Sequence, residues 1–104
     1  LIRRLHVQGV SHGDLTTHNV MITDDGTLFL IDFGLSRQSP ELEHMGLDLQ
    51  VLNECLGASH STIIDGIEAV CEGYLSEEGI NKSESAETVI DRFNKITSRV
   101  RYHG

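Results

Sequence analysis

Cysteine is scarce in this chain, basic residues are outnumbered two to one by acidic ones, and no long apolar run occurs. The two cysteines, Cys55 and Cys71, stand 16 positions apart with no Cys-x-x-Cys pair, which argues against a disulfide framework or a zinc ribbon and favours a reducing compartment. Eight Lys and Arg against sixteen Asp and Glu leave a net charge of −8. That is the wrong sign for a segment that would grip tRNA or DNA by neutralising phosphates. The longest wholly apolar stretch, Leu28, Phe29, Leu30 and Ile31, is stopped by Asp32, and the N-terminal Leu1, Ile2, Arg3 and Arg4 lack the apolar centre of a secretory signal. No membrane-spanning or membrane-targeting segment is expected. The first residue is Leu and not Met, which suggests a chain that begins inside a larger protein.

What is present suits one domain or a piece of one: 104 residues, 38% hydrophobic and 23% charged, enough apolar content for a small core. Leu1, Ile2, Leu5 and Val10, interspersed with Arg3, Arg4, His6 and Gln8, read as the end of an amphipathic helix that stops near Gly9. A polar stretch without period follows over residues 11–19. Two β-prone runs come next, residues 20–23 and 27–31, around Asp24, Asp25 and Gly26, and the Asp-Gly pair signals a hairpin. Residues 35–44, with the only proline at Pro40, read as a short connection. Three helices are expected beyond it. One has Leu47, Val51, Leu52, Cys55 and Leu56 on a face, and the next has Ile63, Ile67, Val70, Cys71, Tyr74 and Leu75. The last has Ala86, Val89, Ile90, Phe93, Ile96, Thr97 and Val100, with Ser83 or Ser85 as its N-cap and a polar loop over residues 76–85 before it.

Chemistry concentrates in His12, Gly13, Asp14, Leu15, Thr16, Thr17, His18 and Asn19, an H-x-D-x-x-x-x-N pattern, followed 13 positions after Asn19 by Asp32, Phe33 and Gly34. Phosphoryl transfer from ATP needs a carboxylate that orients the attacking hydroxyl and accepts its proton, and Asp14 suits that role. It also needs oxygen donors that hold Mg²⁺ against the phosphates, a role for Asn19 and Asp32, because this ion prefers hard oxygen ligands and takes only a few from protein. Gly34 would let the backbone turn sharply behind the Asp32 carboxylate. Taken singly, Asp14 and Asn19 could be loop-capping residues and Asp32 a strand-ending one. Together, with a hairpin of the right length between them, they form a specific signal. His12 and His18 lack a third soft ligand nearby, so structural or solvated histidines are the simpler reading.

These residues, with Leu30, Ile31, Asp32, Phe33, Gly34, Leu35 and Ser36 and then Leu47, Asp48, Leu49, Gln50, Val51 and Leu52, resemble the small atypical kinase subunit family of the KEOPS (EKC) complex, called PRPK in animals. The resemblance implies an α+β chain, mostly helical with one catalytic β-hairpin: the C-terminal lobe of a protein-kinase-like fold over residues 1–104, truncated before its N-terminal lobe and before its basic C-terminal tail. It implies an ATP- and Mg²⁺-dependent serine/threonine kinase or ATPase that supports threonylcarbamoyladenosine modification of tRNA. Its partners would be the KEOPS threonylcarbamoyltransferase subunit and other KEOPS subunits, with tRNA met only indirectly, in cytoplasm and nucleus. Met21 would lie under the adenine and Ile31 would line the nucleotide pocket beside Asp32, although both also read as hairpin core residues. His12 would be structural, and Asp48 would prop the catalytic loop through backbone N–H groups, or else serve as an N-terminal helix carboxylate favoured by the macrodipole.

Departures from ordinary protein kinases are specific. Gly13 stands where regulated kinases carry an Arg, Thr16 stands where a Lys is usual, and only 13 residues separate Gly34 from Asp48 with no A-P-E sequence. No G-x-G-x-x-G loop, strand lysine or helix glutamate occurs, so half an ATP site is present and these residues alone are expected to be weakly active or inactive. Two other readings remain: a small-molecule phosphotransferase of the aminoglycoside or choline kinase type, and a non-catalytic binding module.

Overall fold

A computed structural model describes residues 1–59, 66–76 and 85–103. Helix α1 (Ile2–Val7) leads into strand β1 (Val10–Ser11), a 3₁₀ turn (Thr17–Asn19), and strands β2 (Val20–Ile22), β3 (Leu28–Leu30) and β4 (Arg37–Gln38). Helices α2 (Leu42–Ser59), α3 (Gly66–Ser76) and α4 (Ala86–His103) follow. The chain is thus α+β, as expected, and among the described residues the strands form two antiparallel ribbons, β1 with β4 and β2 with β3. Ile63, Ser83 and most of the loop expected over residues 76–85 lie outside the described residues.

Helices α2 and α4 form the frame. Ala86, Val89, Phe93 and Ile96 recur at helical spacing and are all buried, against Met45, Leu49 and Tyr74. Full burial of a side chain of the Val, Leu or Phe kind contributes roughly 1.5–3 kcal/mol, so this seam is a main source of stability. The helices approach closely at Gly46, where a β-carbon would stand 3.0 Å from Arg92 Cγ and from Ile96 Cδ1. Ser85 caps α4 by accepting the Thr88 N–H at 3.2 Å. Across the same seam Thr97 donates its hydroxyl to Gln50 Oε1 at 2.7 Å, while Arg92 and Arg99 reach Glu43 at 3.1 and 2.8 Å.

The inward face of α2 differs from the one expected. Met45, Asp48, Leu49 and Leu52 are buried, whereas Leu47 is 39% exposed, because Gly46 turns toward α4 and sets the phase. Val100, placed on the apolar face of α4, is likewise exposed. The larger correction concerns α1. Arg3 and His6, read as its polar side, are 1% and 0% exposed, while Leu1 is exposed. Arg3 Nη1 and both ring nitrogens of His6 find buried partners on α2 and α3, so this short helix presents hydrogen-bonding groups inward.

The hairpin has the register Val20↔Leu30, Met21↔Phe29 and Ile22↔Leu28. Its three-residue loop closes through Gly26 N–H to the Thr23 carbonyl and Thr23 N–H to the Thr27 carbonyl, both 2.9 Å, with Gly26 at a φ of +86°. Val20, Leu28 and Leu30 face an apolar recess of about 310 Å³ shared with Ile2, Leu52 and Val70. The connection expected over residues 35–44 is more ordered than its composition suggested. It contains β4, paired as Val10↔Gln38 and Ser11↔Arg37, and its last residues already belong to α2. No helix among the described residues is long and apolar enough to cross a membrane.

Candidate active site

The polar stretch between β1 and β2 is held in shape by a buried carboxylate. Asp48, in the second turn of α2 and 2% exposed, accepts the His12 N–H at 2.8 Å and the Gly13 N–H at 2.9 Å. Of the two roles open for Asp48, the geometry is that of a prop for the loop, for it lies too far along α2 to serve the helix's own N-terminal N–H groups. Charge-assisted bonds to backbone N–H groups are about twice as strong as neutral ones, so two consecutive peptide units, Ser11–His12 and His12–Gly13, are fixed firmly. Leu15, fully buried, anchors the middle of the loop.

Gly13 sits at a φ of +90°, and a β-carbon on it would fall 2.1 Å from the Leu35 carbonyl oxygen. The glycine found where regulated kinases carry an Arg is therefore demanded by the backbone and by the close passage of the chain beyond Gly34. His12 is fully buried and joins the loop to the hairpin. Its Nδ1 accepts the Asp14 N–H at 3.1 Å, which leaves Nε2–H to donate to the Ile31 carbonyl at 2.8 Å. Its ring also packs on Phe33 at 4.8 Å between centroids. The two bonds account for both ring nitrogens, the disposition of a structural histidine.

Asp14 and Asn19 meet directly. Asn19 Nδ2 donates to the Asp14 carbonyl at 2.8 Å and lies 3.4 Å from its carboxylate Oδ2, which leaves the Asn19 Oδ1 as the atom this residue can offer a cation. The Asn19 carbonyl accepts the Ile31 N–H at 2.9 Å, so the residue before Asp32 is tied to both ends of the loop, to His12 and to Asn19. Asp32 follows at the end of β3, exposed, with a φ of +60°. A left-handed backbone at a non-glycine residue is uncommon, and Asp is among the residues that adopt it. The chain does turn at Gly34 as expected, the Phe33 carbonyl accepting the Ser36 N–H at 2.9 Å, and Asp32 adds a left-handed residue just before that turn. A β-carbon at Gly34 would stand at an ordinary 3.5 Å from Asp32 Oδ1, so crowding does not demand the glycine there.

Met21 and Ile31 are 54% and 37% exposed, so neither is a core residue of the hairpin, and both are accessible on its surface. The cysteines are half-buried. Cys55 Sγ lies 3.4 Å from the Thr17 hydroxyl, and burial together with Glu68 pushes the Cys71 thiol above its usual range.

Residues that the sequence pattern did not single out complete the support. His6 Nε2 is 2.8 Å from Asp48 Oδ2, and its Nδ1 is 2.7 Å from the Tyr74 hydroxyl. Arg3 Nη1 donates to that hydroxyl at 3.4 Å, and the guanidinium lies 5.4 Å from the centre of the Tyr74 ring. The one signal available was the placement of Arg3 and His6 at i and i+3, on one face of a short helix.

No family model matches the sequence. Individual proteins do. The chain is 35% identical over 102 residues to the KEOPS complex subunit Bud32 of Pyrococcus abyssi, an alignment that takes in 97% of this chain and 44% of that protein. It is 40% identical over 101 residues to a probable bifunctional tRNA threonylcarbamoyladenosine biosynthesis protein of Methanoculleus marisnigri, covering 97% of this chain and 18% of the relative. A protein of the same description from Methanothermobacter thermautotrophicus is 40% identical over 102 residues, with the same coverage of 97% and 18%. The chain spans less than half the length of these relatives, yet almost every one of its own residues aligns. Over that length the chain is similar to the KEOPS subunit Bud32 and to these bifunctional proteins.

Proposed function

We propose that this chain is the catalytic-loop portion of an ATP- and Mg²⁺-dependent atypical serine/threonine kinase or ATPase, acting within the KEOPS complex in support of threonylcarbamoyladenosine formation in tRNA. The names of the relatives support the tRNA setting, and the partners would be the threonylcarbamoyltransferase subunit and other KEOPS subunits, with tRNA approached only through them. A hairpin carried on a helical frame supports the large lobe of a kinase-like fold. The observation that carries the reading is the double bond from Asp48 to the His12 and Gly13 N–H groups, because it holds rigid the loop from which Asp14 projects.

Asp14 would orient the attacking hydroxyl, from a protein side chain or from water, and accept its proton as the terminal phosphoryl group leaves ADP. The donor set fits a hard cation: the Asn19 Oδ1 and the exposed Asp32 carboxylate are both oxygens, and no soft ligand lies among them. When bound there, Mg²⁺ would neutralise charge on the phosphate oxygens. Met21 and Ile31 offer exposed apolar surface at the hairpin for a flat base.

The test is Asp32→Ala in the full-length protein assembled in its complex. Loss of Mg²⁺-dependent ATP turnover and of tRNA modification, with assembly intact, is the expected result. Preserved modification would make this a binding module and overturn the proposal.

A further inference from the structure

Behind the catalytic loop runs a line of buried hydrogen bonds that crosses three helices. It starts at Arg3 on α1, passes through the Tyr74 hydroxyl on α3 and returns to α1 at His6. From there it reaches Asp48 on α2 and ends on the two N–H groups of the loop. Every side chain in it is at most 3% exposed. The donors run in one direction. Arg3 can only donate, so the Tyr74 oxygen accepts from it, and its own proton is free to point at His6 Nδ1. That leaves Nε2–H as the donor to Asp48 Oδ2. Burial raises the Tyr74 phenol above its ordinary range, so it keeps the proton this direction requires.

The geometry points to Tyr74 as a positioning residue for the chemistry at Asp14: by donating to His6 Nδ1 it fixes the tilt of an imidazole that in turn aims the Asp48 carboxylate at the loop. This role rests on the functional reading above. Asp48 Oδ2 is shared between His6 Nε2 and the His12 N–H, both at 2.8 Å, so a change at His6 is felt one bond away from the loop. Without the phenol hydroxyl the Asp48 carboxylate still holds the proton on Nε2, but Nδ1 becomes a buried acceptor with no donor and the ring loses one of its two anchors. A ring held only at Nε2 can tilt about that bond, and the Asp48 carboxylate it carries then turns from the loop N–H groups. Tyr74 touches no reacting group, and its effect travels only through His6 and Asp48.

The test uses Tyr74→Phe in the full-length protein, which keeps the ring and removes the hydroxyl. The expected result is a fall in kcat of about tenfold, the scale seen when a supporting hydrogen bond behind a reactive centre is cut, with KM for MgATP nearly unchanged. The same substitution in a His6→Leu background should cost nothing further, whereas simple loss of packing would add to the first loss. His6→Gln, which can still donate toward Asp48 and accept from Tyr74, should retain more activity than His6→Leu, and this comparison does not require Tyr74→Phe to fold. Nitrogen chemical shifts of the His6 ring should report the Nε2–H tautomer in the parent and, in Tyr74→Phe, a displaced Nδ1 signal as that atom loses its donor. A parent that turns over ATP while Tyr74→Phe is unchanged, additive losses with His6→Leu, or no advantage of His6→Gln would each overturn the positioning role alone. A parent without MgATP turnover would overturn this role and the functional reading together.

Discussion

Replacing Gly13 by alanine would place a methyl group 2.1 Å from the Leu35 carbonyl oxygen at a φ of +90°, a position from which neither backbone can retreat without moving the loop or the chain after Asp32. Strain of this class costs about 1–3 kcal/mol before the collision itself is counted. Gly13→Ala in the full-length protein should therefore lower the thermal midpoint by several degrees and depress ATP turnover, both measurable on one preparation. The spacing of Asp14, Asn19 and Asp32 was legible in the sequence because a loop and a two-stranded ribbon fix how many residues separate them. His6 and Tyr74 were not, because their partners stand 42 and 68 positions away and nothing local marks them. A histidine or arginine on a six-residue helix looks solvent-facing until the packing around it is known.

Helical periodicity predicted the three long elements, and the serine cap of α4 could be narrowed to two positions. What it misplaced was rotation. In α2 the apolar residues cover much of the circumference, so the inward face is chosen by Gly46 and its approach to α4, a partner the sequence does not name. That approach brings Glu43 between two arginines, and Arg99 first, then Arg92, hold its carboxyl below the usual range. A lowered folded value means the ion pair stabilises fully above the ordinary carboxylate range and is lost as pH falls through the lowered one. Glu43→Gln should thus destabilise by up to about 1 kcal/mol near pH 7, as expected for pairs at this exposure, and the difference should vanish in acid and shrink in high salt. Denaturant titrations at two pH values and two ionic strengths would check both.

Across the molecule, burial and chemistry are separated. The seam of α2, α3 and α4 holds nearly all the closed apolar packing, while the hairpin leaves Met21, Ile22, Leu28 and Phe29 each 47–69% exposed and faces an open recess. Amide exchange should accordingly be slowest in α2 and α4 and faster by orders of magnitude in β2 and β3, a contrast that mass spectrometry of peptides would resolve. Equal protection in both would mean that the hairpin is more firmly held than these contacts allow. The helices and the β2–β3 hairpin followed from pattern, but the β1–β4 ribbon did not, since two-residue strands carry no period and pair only because the chain returns. Residues 12–36, with every group assigned to nucleotide chemistry, leave and rejoin the helices at one narrow neck, clasped by Val10 with Gln38 and Ser11 with Arg37. Opening that clasp would release both ends of the stretch together and leave buried Leu15 and the two backbone protons on the α2 aspartate to hold it against the helices.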